Sequence, residues 1–328
     1  MKNTAIILAG AVAKGAFEAG ALKVITKNPN LKIKTIVATS SGALNATALA
    51  AGITSQKVEQ AMDALVNTWA DHGSWYNILE FSFSKMMNRQ GLSNSDRLMR
   101  LIRMTVEKFV TSDLYPIELK IVLTQLSGHM GFIDGRPSTT FEAVANFSHL
   151  DFYNRVKRER IYNAACASAA FPGLFAPVDV PGFGACYDGG IVNDTPIKYA
   201  IESQHIERII VISPFPAISN SIDNFKGLDL AGRFGDVISN ERLYRDLVNA
   251  DKVNHLMRKL KHLKDTNEIN EDQFKKIENI LEYKREIEIV QIRPKKKLAG
   301  NGFSGLFKKN LRINYIEEGI KAAQEINL

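Results

Sequence analysis

The chain has 328 residues, 45% of them hydrophobic and 23% charged, with a net charge of +7 from 42 Lys+Arg against 35 Asp+Glu. That balance excludes a disordered chain, a collagen-like repeat and a disulfide scaffold, and it leaves one large α/β domain or two smaller ones around a sizeable core. The modest basic excess favours anionic surfaces such as phospholipid headgroups, and no stretch alternates basic and aromatic residues as a nucleic-acid surface would.

At the N-terminus the apolar run from Ala5 to Ala13, between Lys2 and Lys14, has the length of a secretory h-region and ends in A-x-A. The competing reading is a buried first strand followed by a glycine loop and a helix. It is preferred because the next thirty residues complete a unit that needs this strand. No apolar stretch reaches the ~18 residues of a membrane-spanning helix. The expectation is a soluble or peripheral protein, cytoplasmic or at a membrane surface, with secretion by a signal-independent route as the alternative.

Residues 4–9 predict a strand and 13–27 a helix with Ala16, Phe17, Ala19, Leu22 and Ile25 inward. A second buried strand follows over 34–39, then a small-residue helix over 42–51 ending at Gly52. Strand–helix–strand–helix with short connections predicts a mostly parallel sheet covered by helices. Residues 55–71 predict an amphipathic helix. The aperiodic segment 72–92, with Trp75, Tyr76, Phe81, Phe83, Met86 and Met87, is either core or a flap over an apolar pocket.

Further strands are predicted over 119–126 and 184–187, with 131–133 as a returning hairpin arm. A small-residue helix over 162–170 is stopped by Pro172-Gly173. A strand over 208–213, helices over 229–264 and 270–284, a last strand over 286–292 and a helix over 315–325 complete the chain. There is no internal repeat and no low-complexity linker, so a single domain over 1–328 is expected. The two cysteines, Cys166 and Cys186, and the six histidines show no metal-ligand spacing, so no zinc site is expected. Two free thiols are the simpler expectation, a disulfide between them the alternative.

Three short motifs carry chemistry. Ala38-Thr39-Ser40-Ser41-Gly42 lies where a buried strand meets a helix. A serine at such a turn is held in a strained conformation with its hydroxyl presented, and the residues two before and two after must be small. It also sits at a helix N-terminus, whose dipole favours developing negative charge. Gly10-Ala11-Val12-Ala13-Lys14-Gly15 follows the first strand, and its backbone N–H groups can converge on an oxyanion. It is neither a P-loop nor G-x-G-x-x-G. Asp188-Gly189-Gly190 is either a plain turn or the carriage of a general base reaching Ser40. With no histidine near these motifs, a Ser-His-Asp triad is poorly supported.

In this order the motifs resemble those of the patatin-like phospholipase family. The family's G-G-G-x-[KR]-G corresponds to residues 10–15, its G-x-S-x-G-A-x-N-A to residues 38–46, its A-S-x-A-x-P-x-x-F-x-P to residues 167–177, and its D-G-[GA] to residues 188–190 with Pro196 beyond. The resemblance covers roughly residues 4–215 and leaves 216–328 as a helical C-terminal extension with a last strand and a basic loop.

It implies a three-layer α/β/α sandwich with a mostly parallel central sheet. It implies a lipid acyl hydrolase of phospholipase A type, acting on phospholipid or other lipid esters through a Ser-Asp dyad. Ser40 would be the nucleophile, Asp188 its base, and Gly10, Ala11 and Val12 the oxyanion hole, with Lys14, Gly15, Ser41 and Gly42 supporting loop and elbow. No cofactor is implied, and no metal for the chemical step. Ala11 and Val12 stand where the family has glycine, and a β-branched valine fits badly if the loop needs a positive φ. The alternative function is therefore a catalytically impaired lipid-binding or regulatory protein that keeps the fold.

The C-terminal third rests on charge. From residue 241 onward there are 19 Lys+Arg against 14 Asp+Glu. Lys295, Lys296, Lys297, Lys308 and Lys309 beside Leu298, Phe303, Leu306 and Phe307 suggest peripheral contact with an anionic membrane. A solvated loop is the plainer reading.

Overall fold

The computed structural model describes residues 1–81, 91–110, 115–128, 130–133, 136–203, 205–217, 228–281 and 285–326. Its centre is β1 (Asn3–Leu8), the apolar run that also suits a leader peptide, paired in parallel with β2 (Lys32–Ala38) on one side and β11 (Arg208–Ile212) on the other. The full sheet runs β12 (Glu288–Ile292), β11, β1, β2, β5 (Glu118–Gln125), β10 (Gly184–Asp188), β9 (Val178–Val180), with β8 (Glu142–Ser148) also paired to β5. The first five strands are parallel, whereas β8, β10 and β9 join antiparallel.

Alternation along the strands builds two cores, because successive side chains leave opposite faces of the sheet. Ile6, Leu8, Ile36, Ala38, Ile210 and Ile212 point to one face, under α1 (Gly15–Ile25), α2 (Ser41–Thr54), α3 (Val58–Asn67), the helix Arg155–Ser168 and the final helix Lys309–Gln324. Ala5, Ile7, Val37, Ile209 and Val211 point to the other, where Ala200 of the helix Lys198–Ile201 and Leu243 of the helix Leu228–Asp265 cover them. The result is the expected three-layer α/β/α arrangement around a mostly parallel sheet.

Several boundaries differ from the sequence pattern. The stretch expected as one helix over 13–27 opens with a separate 3-10 turn, Val12–Lys14, before α1. Gly52 does not end α2, which continues to Thr54. The glycine instead lets α3 approach, since a Cβ there would lie 2.5 Å from the Ala61 Cβ. The predicted helix over 55–71 starts at Val58 and widens into a π-turn at Thr68–His72. The helices expected at 162 and 315 begin earlier, at Arg155 and Lys309. The helix Asp96–Val106 and strands β8 and β9 carry no expectation from sequence. The arm at 131–133 pairs in a separate ribbon, β6 (Met130–Ile133) with β7 (Arg136–Thr139), and β3 (Glu80–Phe81) pairs with β4 (Ser93–Asn94) in another.

Of the aromatic segment, Trp75 packs against the core and Tyr76 is exposed, while Phe83, Met86 and Met87 lie outside the described residues, as does the side chain of Phe81. Cys166 and Cys186 are buried and unbridged.

The C-terminal third is built into this body. β12 extends the main sheet beside β11, and Tyr315 and Ile316 of the final helix enter the core that α1 helps to form. Leu298 and Leu306, expected as exposed partners of the lysines, are buried because they fill that core, and Phe307 alone of the four apolar residues is exposed. No described helix is long and apolar enough to cross a membrane.

Candidate active site

The site forms where two strands meet end to end. β5 offers one edge to β2 along its first half, with Ala38 opposite Ile121, and the same edge to β10 along its second half, with Asp188 opposite Leu123. β2 runs parallel to β5 and β10 antiparallel, so their C-terminal ends face each other. Ser40 lies two residues beyond β2, and Asp188 is the last residue of β10. This is the carboxyl end of the parallel strands, where ligands gather in open α/β sheets.

Ser40 takes φ 54° and ψ −130° at the start of α2, a strained conformation of the kind that costs about 1–3 kcal/mol and persists only when its surroundings enforce it. Here the enforcement is visible. Ser40 N–H donates to Ser168 Oγ at 2.9 Å, and Ser168 Oγ donates to Val122 O at 2.7 Å. Thr39 Oγ1 donates to Asn193 O at 2.9 Å, and Thr39 N–H to Leu8 O at 3.1 Å. Gly42 has no room for a side chain, because a Cβ would lie 2.6 Å from Leu8 O. Gly10 is equally confined, with Asp194 Oδ1 at 2.3 Å and Ser40 Cβ at 2.7 Å from the same imagined atom.

Ser40 Oγ donates to Asp188 Oδ2 at 2.7 Å, and Asp188 Oδ1 accepts from Gly190 N–H at 2.8 Å. Both residues are buried, and no hydrogen bond joins either to a histidine among the described residues. Burial pushes the Asp188 carboxyl up to about 6, while its bonds to Ser40 and Gly190 pull the other way. Above that pH the carboxylate can take a proton from Ser40.

The loop after β1 holds its N–H groups differently from one another. Gly10 N–H donates to Asp194 O at 3.3 Å, Ala11 N–H to Ser41 Oγ at 3.1 Å, and Ala13 N–H to Gly302 O at 3.0 Å. Val12 N–H has no partner among the described residues, and Val12 borders the pocket at Ser40. Val12 carries φ 52°, so the loop does adopt the backbone that glycine would take, with a valine in it. Lys14 is buried, its Nζ 5.6 Å from the centre of the Phe215 ring, and Gly15 packs against Ser41.

Beneath the elbow lies a buried polar brace. Asn45 Nδ2 donates to Gly15 O at 2.9 Å and to Glu18 Oε2 at 2.8 Å, and its Oδ1 accepts from Trp69 Nε1–H at 2.7 Å. It ties α1, α2 and the π-turn together. Burial, with Asp194 nearby adding to it, pushes the Glu18 carboxyl well above the usual range and so favours the neutral acid, while the Asn45 bond pulls the other way. Ser168, Glu18 and Trp69 have no role in the sequence reading. For Ser168 the signal was present, in the small-residue run around it. Glu18 and Trp69 carried none, because their partners are distant in the chain.

An apolar pocket opens at Ser40 and Asp188, walled by Leu44, Ile78, Leu98, Phe175 and Leu306 among others. Among the described residues no cluster of three or more metal-ligating side chains occurs.

A serine on a strained strand-to-helix elbow, bonded directly to a buried carboxylate and open to an apolar pocket, defines a serine–aspartate site on an α/β sandwich. A patatin-like phospholipase family model matches residues 6–201, which hold every element of that site except the Gly302–Leu306 wall. The chain belongs to the patatin-like phospholipase family.

Among solved structures, the chain is similar to VipD from Legionella pneumophila at 11% identity and a TM-score of 0.43, over 99% of this chain and 66% of that one. It is also similar to a chain of the heterodimeric ExoU–SpcU complex from the type III secretion system of Pseudomonas aeruginosa, at 13% identity and a TM-score of 0.25, over 74% of this chain and 51% of that one. The chain thus spans just under two thirds of the first and about half of the second. No curated protein matches it.

Proposed function

We propose that the protein is a serine acyl hydrolase of lipid esters, of phospholipase A type, working through a Ser40–Asp188 dyad. The observation that carries this is the 2.7 Å hydrogen bond from the elbow serine to a buried carboxylate at the mouth of an apolar pocket. Family membership supports the substrate class.

In this reading Ser40 Oγ attacks the ester carbonyl carbon while its proton passes to Asp188 Oδ2, and the carbonyl electron pair moves onto oxygen. The oxyanion develops beside the Val12 N–H and the first turn of α2, whose dipole favours it. Collapse expels the alkoxide, which takes the proton from Asp188 and leaves the acyl group on Ser40. A water then attacks that ester, its proton passing to Asp188 and back to Ser40 Oγ as the fatty acid departs. Gly10 and Ala11 join the oxyanion hole only if their N–H groups leave Asp194 O and Ser41 Oγ.

That last point favours a second reading, a lipid-binding protein with impaired turnover. One experiment separates the two. A fluorophosphonate probe labels wild type and not Ser40→Ala if the serine is competent, with turnover of a nitrophenyl ester running in parallel. No label and no turnover in folded wild type overturns the hydrolase.

Membrane contact is the second part of the proposal. Lys296, Lys308 and Phe307 are exposed, as is Tyr76, and Trp75 lies between the two aromatics at 5.9 Å from Tyr76 and 6.2 Å from Phe307. Lys295 and Lys309 are paired with Glu325 and Asp71. Sedimentation with anionic vesicles, reduced by Gln at Lys296 and Lys308 and by raised salt, tests it. Binding that ignores both changes rules these residues out.

A further inference from the structure

A second apolar pocket lies behind the one at Ser40. The two share four side chains, Leu44, Trp69, Ile78 and Leu98, which therefore form the partition between them. Leu44 stands one turn along α2 from Ser40. The inner pocket is closed by Leu65 of α3 and by Leu101, Ile102, Thr105 and Val106 of the helix Asp96–Val106. Its hydroxyls are consumed internally: Thr105 Oγ1 donates to Leu101 O at 2.8 Å and lies 3.0 Å from Thr68 Oγ1. What remains facing the space is hydrocarbon, and such a pocket suits an apolar occupant rather than water.

The partition has one member fixed by hydrogen bonds, Trp69, and three aliphatic members held by packing, Leu44, Ile78 and Leu98. The Trp69 indole is pinned by Asn45 Oδ1, and its backbone by Arg312, which donates to Trp69 O and Ala70 O. Leu44 sits on α2, Ile78 on the short helix Trp75–Ile78 and Leu98 on the helix Asp96–Val106.

We propose that the acyl chain of the substrate runs from Ser40 along the Trp69 face, between Ile78 and Leu98, into the inner pocket. The helix Asp96–Val106 then serves as the ruler that selects long unbranched acyl chains. The proposal rests on Ser40 as the residue that receives the acyl group. Each methylene that enters the inner pocket raises kcat/KM about fourfold, the factor expected for burying one CH₂.

The test compares p-nitrophenyl myristate with p-nitrophenyl butyrate in wild type, Ile102→Phe and Thr105→Leu, two variants that fill the pocket from different positions so that misfolding of one leaves the other. The ratio of kcat/KM for myristate to that for butyrate is expected to fall about tenfold or more in each folded variant. A ratio within about twofold of wild type in both overturns the proposal. A binding experiment stands apart from hydrolysis. In Ser40→Ala with Trp75→Phe, Trp69 is the remaining tryptophan, and a fatty acid brominated at mid-chain quenches its fluorescence. Ile102→Phe is expected to abolish that quenching. Equal quenching with and without Ile102→Phe overturns the inner pocket. If wild type shows no Ser40-dependent hydrolysis of either ester, the nucleophile assignment fails and the quenching alone decides the pocket.

Discussion

Arg312 Nε donates to Trp69 O at 2.9 Å, joining residues 243 positions apart. The guanidinium also donates to Ala70 O and Gly305 O, so it satisfies carbonyls of the π-turn and of the short helix Ser304–Phe307 that carries Leu306 into the Ser40 pocket. The C-terminal helix thereby holds two walls of the site. Arg312→Met keeps most of the volume and leaves these carbonyls without their donor. A loss of about 2–4 kcal/mol is expected, read from urea unfolding followed by tryptophan fluorescence.

Burial raises the Asp188 carboxyl to about 6. In the proposed mechanism its ionised form is the base, so kcat/KM should climb as pH rises through about 6 and then level off. Stability moves oppositely. The folded state holds a proton that the unfolded state, near 3.8, has lost, so stability is greatest below about 3.8, declines as pH rises to about 6 and is flat above. Asp188→Asn removes that penalty, and the variant should be inactive yet more stable than wild type at pH 8, by up to about 3 kcal/mol, with no such gain at pH 3.5. An active Asp188→Asn would eliminate the dyad.

Val12 occupies φ 52°, where a side chain with a Cβ is strained by about 1–2 kcal/mol. Val12→Gly relieves that strain and adds freedom to the unfolded chain, which offsets about 0.5–1 kcal/mol of it. A net gain of roughly 0.5–1 kcal/mol in urea unfolding is expected. A loss would mean that packing of the valine side chain against the core outweighs its backbone strain.

Ser168 bridges Ser40 N–H and Val122 O, both buried. Ser168→Ala leaves each without this partner, at a cost of about 1–3 kcal/mol per group. Because the lost bond holds the elbow rather than the substrate, kcat should fall while KM changes little, and steady-state kinetics on a soluble ester would show the split. A change confined to KM would place Ser168 against the substrate.

Sequence by itself determined the strands of the parallel half, because buried strands and covering helices impose local periods that any window reveals. It also determined the elbow and the order of the four motifs, since small residues are compulsory where Gly42 meets Leu8 O and where Gly10 meets Ser40. Residues 188–190 read equally well as a plain turn, and the pairing of Asp188 with Ser40 was decided only when β2 and β10 ended opposite each other on β5. The C-terminal third showed a surplus of lysines, and charge along a chain says nothing of which side chains turn inward. Leu306 in the pocket wall, Gly302 on the Ala13 N–H and Arg312 under the π-turn depend on contacts across more than 200 residues, which only the packed tertiary structure specifies.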